Sequence, residues 1–313
     1  MTSNESRNRL VAPAPVWSIV LDALPLAALV VAGLWYWLSV PAGAGREAIA
    51  SVTLDPISVQ NADQLQDVFQ RHEYDWVPKA AVPLLAIKDI PQDIGDEPIA
   101  LKKSLFFRSI LPLVLAENRR IRMERDRIAS AFDDGDFTQG SPEWKRVAAI
   151  AQRYDVDADL NDPDVRERLR RRVDEIPPSL ALAQAANESA WGTSRFAREG
   201  NNLYGEWTWN ADKGIVPKRR AEGADHFVRR FDSLRASVRS YLNNLNTHQA
   251  YAKLRSQRRR LREIGTPVTG MRLAGALDAY SERGMAYVND IRNMIAYNRL
   301  QRINDARLAT PSE

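Results

Sequence analysis

The chain has 313 residues, enough for one substantial core with appendages, and it requires no second large domain. It contains no cysteine, which excludes disulfides, thiolate metal sites and a cysteine nucleophile. Its 44 basic and 40 acidic residues leave a net charge of +4, and no basic run is interleaved with aromatics, so nucleic acid is not an expected partner.

The first 15 residues form a short polar tail. Val16 to Val40 is nearly all apolar, with Asp22 and Pro25 as exceptions, and Trp35, Tyr36 and Trp37 cluster at its far end as aromatics do at a membrane interface. The expectation is a retained transmembrane helix over 16–40, with Arg7 and Arg9 favouring an N-terminus inside. A cleaved signal peptide is the competitor, because residues 41–45 are small enough for a cleavage site.

Residues 41–140 read as a linker and helical lead-in. Leu65, Val68 and Phe69 fall at helical spacing. Four prolines and several acids over 76–98 predict an extended connector, and Lys102 to Ile128 reads as a helix that Pro112 kinks or splits. Ser141-Pro142 and Asp162-Pro163 each supply a cap and a first-turn proline for a new helix. Pro177-Pro178 opens another, running to about Ala190 with Gly192 as its stop. Glu206 to Trp209, Ile215-Val216 and His226 to Val228 are short strand signals between turn residues, which predicts a small β-lobe inserted into helices. Ser233 caps a helix through Leu245, and two more helical segments follow around Arg272 to Tyr280 and Met285 to Ile303, before a tail over 304–313. The runs Arg119-Arg120, Arg170-Arg171-Arg172 and Arg258-Arg259-Arg260 read as solvated helix faces, with attraction to an anionic polymer as the rival.

The chemistry concentrates in the helix that ends near Glu188. Helical spacing puts Gln184, Ala185 and Trp191 on the face of Glu188. Small neighbours leave room for a bulky ligand, and an indole beside the carboxyl would disfavour its ionisation, which suits a general acid. The alternative is an ordinary solvated helix glutamate. His72, His226 and His248 are isolated, so no metal site is expected, and nothing asks for a cofactor.

Glu188-Ser189-Ala190-Trp191-Gly192-Thr193-Ser194 together with Asn201-Asn202-Leu203-Tyr204-Gly205 resembles the signature of bacterial endo-β-N-acetylglucosaminidases that cut peptidoglycan. Within that group the likeness is to the Bax-like bacterial proteins, and it extends over Val77-Pro78, Ala86 to Pro91, Phe106 to Leu115 and Tyr241 to His248. The resemblance implies a mainly α fold: a lysozyme-like α domain with a small β-lobe over 141–303, behind the N-terminal transmembrane helix. It implies hydrolysis of the β-1,4 bond after N-acetylglucosamine, with glycan strands as the partner. The protein would sit in the bacterial inner membrane as a single-pass protein, its catalytic domain periplasmic. A muramidase, a lytic transglycosylase or a non-catalytic wall-binding scaffold are the alternatives.

Glycoside hydrolysis asks for a proton donor and for something to stabilise positive charge at the anomeric carbon. The resemblance makes Glu188 the donor and Tyr287 the active-site tyrosine. Glu222, at a turn of the β-lobe, is the candidate second carboxylate, with Asp225 and Glu206 behind it and the substrate's own acetamido group as the other option. Trp191, Tyr204 and Trp207 are candidate sugar-stacking faces. Asn201 and Asn202 either bond an acetamido group or form the turn.

Overall fold

In the computed structural model, which describes residues 52–133, 137–157, 159–217 and 225–310, two short parallel strands come first. β1 (Asp55–Ile57) pairs with β2 (Leu85–Ile87) in the register Asp55 to Leu85. Between them Asn61 caps α1 (Ala62–Arg71), accepting from the Gln64 amide, and Leu65, Val68 and Phe69 are buried as their spacing predicts. Residues 76–98 are more than a connector. They hold β2 and a 3₁₀ turn over Gln92–Gly95, and Ile87, Ile90 and Ile94 between the prolines reach the core.

α2 (Ile99–Asp133) runs unbroken through Pro112. An interior proline costs about 3 kcal/mol. Every side chain from Leu105 to Asn118 is buried, and the large apolar ones among them each contribute about 1.5–3 kcal/mol, so packing outweighs the local penalty. α3 (Pro142–Arg153) starts at Ser141, whose Oγ accepts from the Trp144 amide at 3.1 Å, and α4 (Pro163–Arg172) starts at Asp162. α5 (Pro178–Glu188) is buried from Pro178 to Ala186 and is the hub of the fold, packing against α2, α9 (Gly270–Leu273) and α10 (Met285–Tyr297).

α6 (Arg195–Gly200) leads into an antiparallel lobe of three strands in the order β3 (Trp207–Thr208), β5 (Phe227–Arg229), β4 (Gly214–Ile215). This is the small lobe that the alternation over 206–228 predicts. Ser233 caps α7 (Leu234–Thr247), which packs along α2. α8 (Ala252–Glu263) then forms from a sequence whose charge hides its buried face of Leu254, Arg255 and Arg258. The segment expected to be helical over 272–280 is only α9 followed by a 3₁₀ turn at Ala274–Ala276. The last helix stops at Tyr297, because Arg299 takes the left-handed conformation before a final 3₁₀ turn over Leu300–Ile303.

The expectation of solvated arginine faces fails at Arg120 and Arg258. Glu117 on α2 has no exposed side-chain surface and accepts from Arg120, Arg235 and Arg239; Glu124, about two turns further on, takes Arg120, Arg153 and the Tyr154 hydroxyl. Arg258 is fully buried, facing Asp174 and donating to the carbonyls of Arg171, Asp174 and Glu175, while Arg262 forks onto the same carboxylate. Buried charge of this kind is tolerated only where it is paired and hydrogen-bonded. Among the described residues no helix is long and apolar enough to cross a membrane. The apolar stretch 16–40 and Glu222 both lie outside the described residues.

Candidate active site

α5 ends at Glu188, two residues earlier than its sequence suggests. Ser189 closes it, donating to the Ala185 carbonyl and accepting from the Gly192 amide. Ala190, Trp191 and Gly192 then all take positive φ, at 49°, 62° and 79°. Each non-glycine residue held there costs about 1–2 kcal/mol, so surrounding packing must hold the turn. At Gly192 a β-carbon would lie 2.6 Å from Ile90 Cδ1, so glycine is required by space as well as by φ.

This turn corrects the expected pairing of Trp191 with Glu188. The indole leaves the helix and packs edge-on against Phe107 and Phe106, with Lys103 Nζ 4.8 Å above its ring. The environment of Glu188 comes from elsewhere. Asn187 Nδ2 donates to its Oε1 at 3.1 Å. Gly205, at φ +69°, brings the loop over the carboxylate so closely that a β-carbon there would stand 3.8 Å from Oε2. Burial pushes the Glu188 pKa up, against weaker opposition from hydrogen bonds with Asn187 and Tyr287 and from the charge of Arg283. The result is a carboxyl biased toward its protonated form.

Tyr287 sits in the first turn of α10 and is buried. Its hydroxyl accepts Gln184 Nε2–H at 2.9 Å, which leaves its own proton to face Glu188. Gln184 is oriented in turn by Tyr241, whose hydroxyl donates to Oε1 at 2.7 Å. A chain of hydrogen bonds thus runs from α7 through α5 to α10 and ends on the carboxylate. Tyr204 stacks on Tyr241 with ring centres 3.8 Å apart, and Tyr280 stacks on Tyr287 at 5.3 Å while donating to the Tyr204 carbonyl. Tyr251 packs beside Tyr280, and its hydroxyl is held in the neutral form by burial and by the charges of Glu206 and Glu188. The roles of Gln184, Tyr241, Tyr251 and Tyr280 escape the sequence. The one signal was a glutamine inside an otherwise apolar run.

The Asn201 to Gly205 loop divides its work. Asn201 takes the left-handed cap of α6 and donates to the Phe231 carbonyl. Asn202 donates to the carbonyls of Glu206 and Arg229 and accepts from the amides of Tyr204 and Glu206. Those four bonds exhaust its amide, so it builds the turn and has nothing left for an acetamido group. Tyr204 has one face covered by Tyr241, and among the described residues its buried hydroxyl has no partner. Trp207 on β3 stacks on His226 at 4.2 Å.

Glu206 is the described carboxylate nearest in sequence to this loop. Its pKa is pushed up to about 7 by burial, although the charge of Arg229 and a 2.7 Å bond from Ser240 pull it down, and its buried Oε1 has no partner among the described residues. Asp225 is exposed at the edge of the lobe. Among the described residues no group of histidine and acidic side chains is placed to hold a metal ion.

Residues 167–300, which include Glu188, Gln184, Tyr287 and the tyrosines around them, match the family model described as mannosyl-glycoprotein endo-beta-N-acetylglucosaminidase. This stretch is therefore similar to the glucosaminidase family. Over 189 residues the chain is 35% identical to Protein bax of Escherichia coli (strain K12), a match that takes in 60% of this chain and 66% of that protein, just short of two thirds of its length. The chain is thus similar to Protein bax over much of its length and to the glucosaminidase family over residues 167–300. No solved structure matches it.

Proposed function

We propose that this chain is a peptidoglycan hydrolase that cleaves the β-1,4 bond on the reducing side of N-acetylglucosamine. The reading rests on one observation above all: a carboxyl with a raised pKa, at the end of the hub helix, under a glycine loop and against a tyrosine held by its own hydrogen-bond chain. Glu188 gives its proton to the leaving oxygen as the bond to the anomeric carbon breaks, and water supplies the new hydroxyl. The positive charge at that carbon is met by a second group. Glu222 is the first candidate, with Asp225 and Glu206 behind it and the acetamido oxygen of the substrate as the alternative. We assign the helices around α5 and the three-stranded lobe to a lysozyme-like domain over 141–303. Trp207 on the lobe, half-buried with one face on His226, is proposed as an aromatic platform for a sugar, while Trp191 packs edge-on against Phe106 and Phe107.

Mass spectrometry of fragments released from purified wall sacculi tests the reaction. New reducing ends of N-acetylglucosamine are expected. Muramic or anhydromuramic ends would assign a muramidase or a lytic transglycosylase instead, and no release at all would leave a wall-binding scaffold.

Tyr287→Phe should lower kcat about ten- to hundredfold, the worth of one hydrogen bond to a charged group. Since the Tyr287 bond lowers the Glu188 pKa, its loss raises that pKa further. The alkaline limb of the pH–rate profile should then move to higher pH. An unmoved limb would separate Tyr287 from Glu188.

The apolar stretch 16–40 is proposed as a single-pass anchor in the inner membrane, with the catalytic domain in the periplasm. Full-length protein should sediment with membranes and resist alkaline extraction, whereas protein starting at Arg46 should stay in the supernatant. Recovery of mature chains beginning near residue 45 would point to a cleaved signal peptide.

A further inference from the structure

A cavity of about 200 Å³ lies where α4, the 3₁₀ turn Gln249–Tyr251 and α8 meet. Arg168, Arg171, Arg172 and Arg255 line it, with Gln249 and Ser256 as neutral polar groups, and among the described residues no carboxylate belongs to the lining. Arg255 is only 4% exposed, and its Nη1 donates to the carbonyls of Leu245 and His248. Among the described residues neither Arg255 nor Arg168 forms an ion pair, and Arg171 Nε is buried with no partner. The two acids that touch this group do so peripherally: Asp155 at 3.3 Å from Arg172 and Glu167 at 3.7 Å from Arg171.

Glu117 gathers three arginines and Asp174 another three, and the neighbouring cavity around Arg259 and Arg262, which shares Arg171 and Arg255 with this one, contains Glu167, Asp174 and Glu263. At Glu117 and Asp174 the protein supplies the counter-charge itself. Here burial and the charges of Arg172, Arg258 and Arg171 push even the Arg255 guanidinium down to about 10. Like charges converging on a hollow with fixed guanidinium forks are what an oxyanion requires.

We propose that this cavity is a binding site for an oxyanion, a phosphate or carboxylate group, held by Arg168, Arg171, Arg172 and Arg255. The volume admits the anion and part of the chain that bears it. The turn that supplies Gln249 also carries Tyr251, which packs on Tyr280 beside the Glu188 cluster, so the site borders the candidate active site. The proposal is independent of whether the chain cleaves a glycan.

Thermal unfolding at constant ionic strength tests it, with inorganic phosphate compared with chloride at pH 7. Phosphate should raise Tm by about 3 °C or more, because a ligand of the folded state stabilises by mass action. Ser256 is exposed on the rim, and Ser256→Glu would deliver a tethered carboxylate. That variant should show a higher Tm without phosphate and no further rise with it, and Arg168→Gln should shrink the phosphate effect. A carboxylate-terminated acidic peptide that competes with phosphate would assign the site to peptide carboxylates; phosphate binding without competition would assign it to phosphate groups. Equal curves with phosphate, peptide and chloride, or a phosphate effect that survives Ser256→Glu, would overturn the proposal.

Discussion

Glu188→Gln is expected to lower wall hydrolysis by about 10²- to 10⁴-fold, the usual contribution of a general acid. Glutamine keeps the shape of the side chain and can still accept the bond from Asn187, but it has no proton to give. Glu188 forms no ion pair among the described residues, so unfolding should stay within about 1 kcal/mol of the wild type. The pH dependence gives a finer check. Burial raises the Glu188 pKa in the folded chain above its unfolded value. Its favourable contribution is therefore complete below the unfolded pKa and is lost as pH rises through the folded one. A permanently neutral glutamine escapes that loss, so the variant should gain stability relative to wild type on the alkaline side. Turnover near wild type would remove Glu188 from the mechanism. A collapse of stability at neutral pH would make it a structural residue instead.

What the sequence made legible was local. Pro177-Pro178, Ser141, Asp162 and Ser233 mark helix starts because a missing amide hydrogen or a capping oxygen acts within one turn. The strand alternation around Trp207 and Phe227 works over a few residues in the same way. Pro112 was misleading because its penalty is local, whereas the burial that overrides it comes from α3, α5 and α7. α8 was hidden because Arg255 and Arg258 form part of its inward face, and the carbonyls that accept from Arg258 lie more than 80 residues away. Within the site, Glu188 was legible from its motif. The placement of Trp191 was not, since nothing in the sequence assigns positive φ to Ala190 and Trp191, and helical spacing fails once the chain turns left-handed. Gln184 and Tyr241 acquire their function only when α5, α7 and α10 come together.

Glu117→Gln should lower stability by about 3–5 kcal/mol, the scale for removing one partner from a buried charge cluster. Arg120 approaches the carboxylate at 3.0 Å, Arg235 at 2.6 Å and Arg239 at 2.9 Å, and Glu117 itself is wholly buried. Burial alone would push its pKa up. The hydrogen bond from Arg239 and the charges of Arg120, Arg239 and Arg235 together outweigh burial and hold it at about 2. A depressed folded pKa contributes stability that is present above the unfolded value and lost as pH falls through the folded one. Wild-type protein should therefore shed about 3 kcal/mol through this residue between pH 6 and pH 2. The glutamine variant has no such proton to take up, so its urea-unfolding stability should fall less steeply over that interval and start lower. Because Arg235 and Arg239 lie on α7, the same cluster fixes α7 against α2 and so positions Tyr241, the far end of the chain that reaches Glu188. Loosening it should broaden the activity loss on warming below the unfolding midpoint. Parallel pH curves for the two proteins, with the variant within about 1 kcal/mol throughout, would show that the three arginines find other partners when Glu117 is neutral.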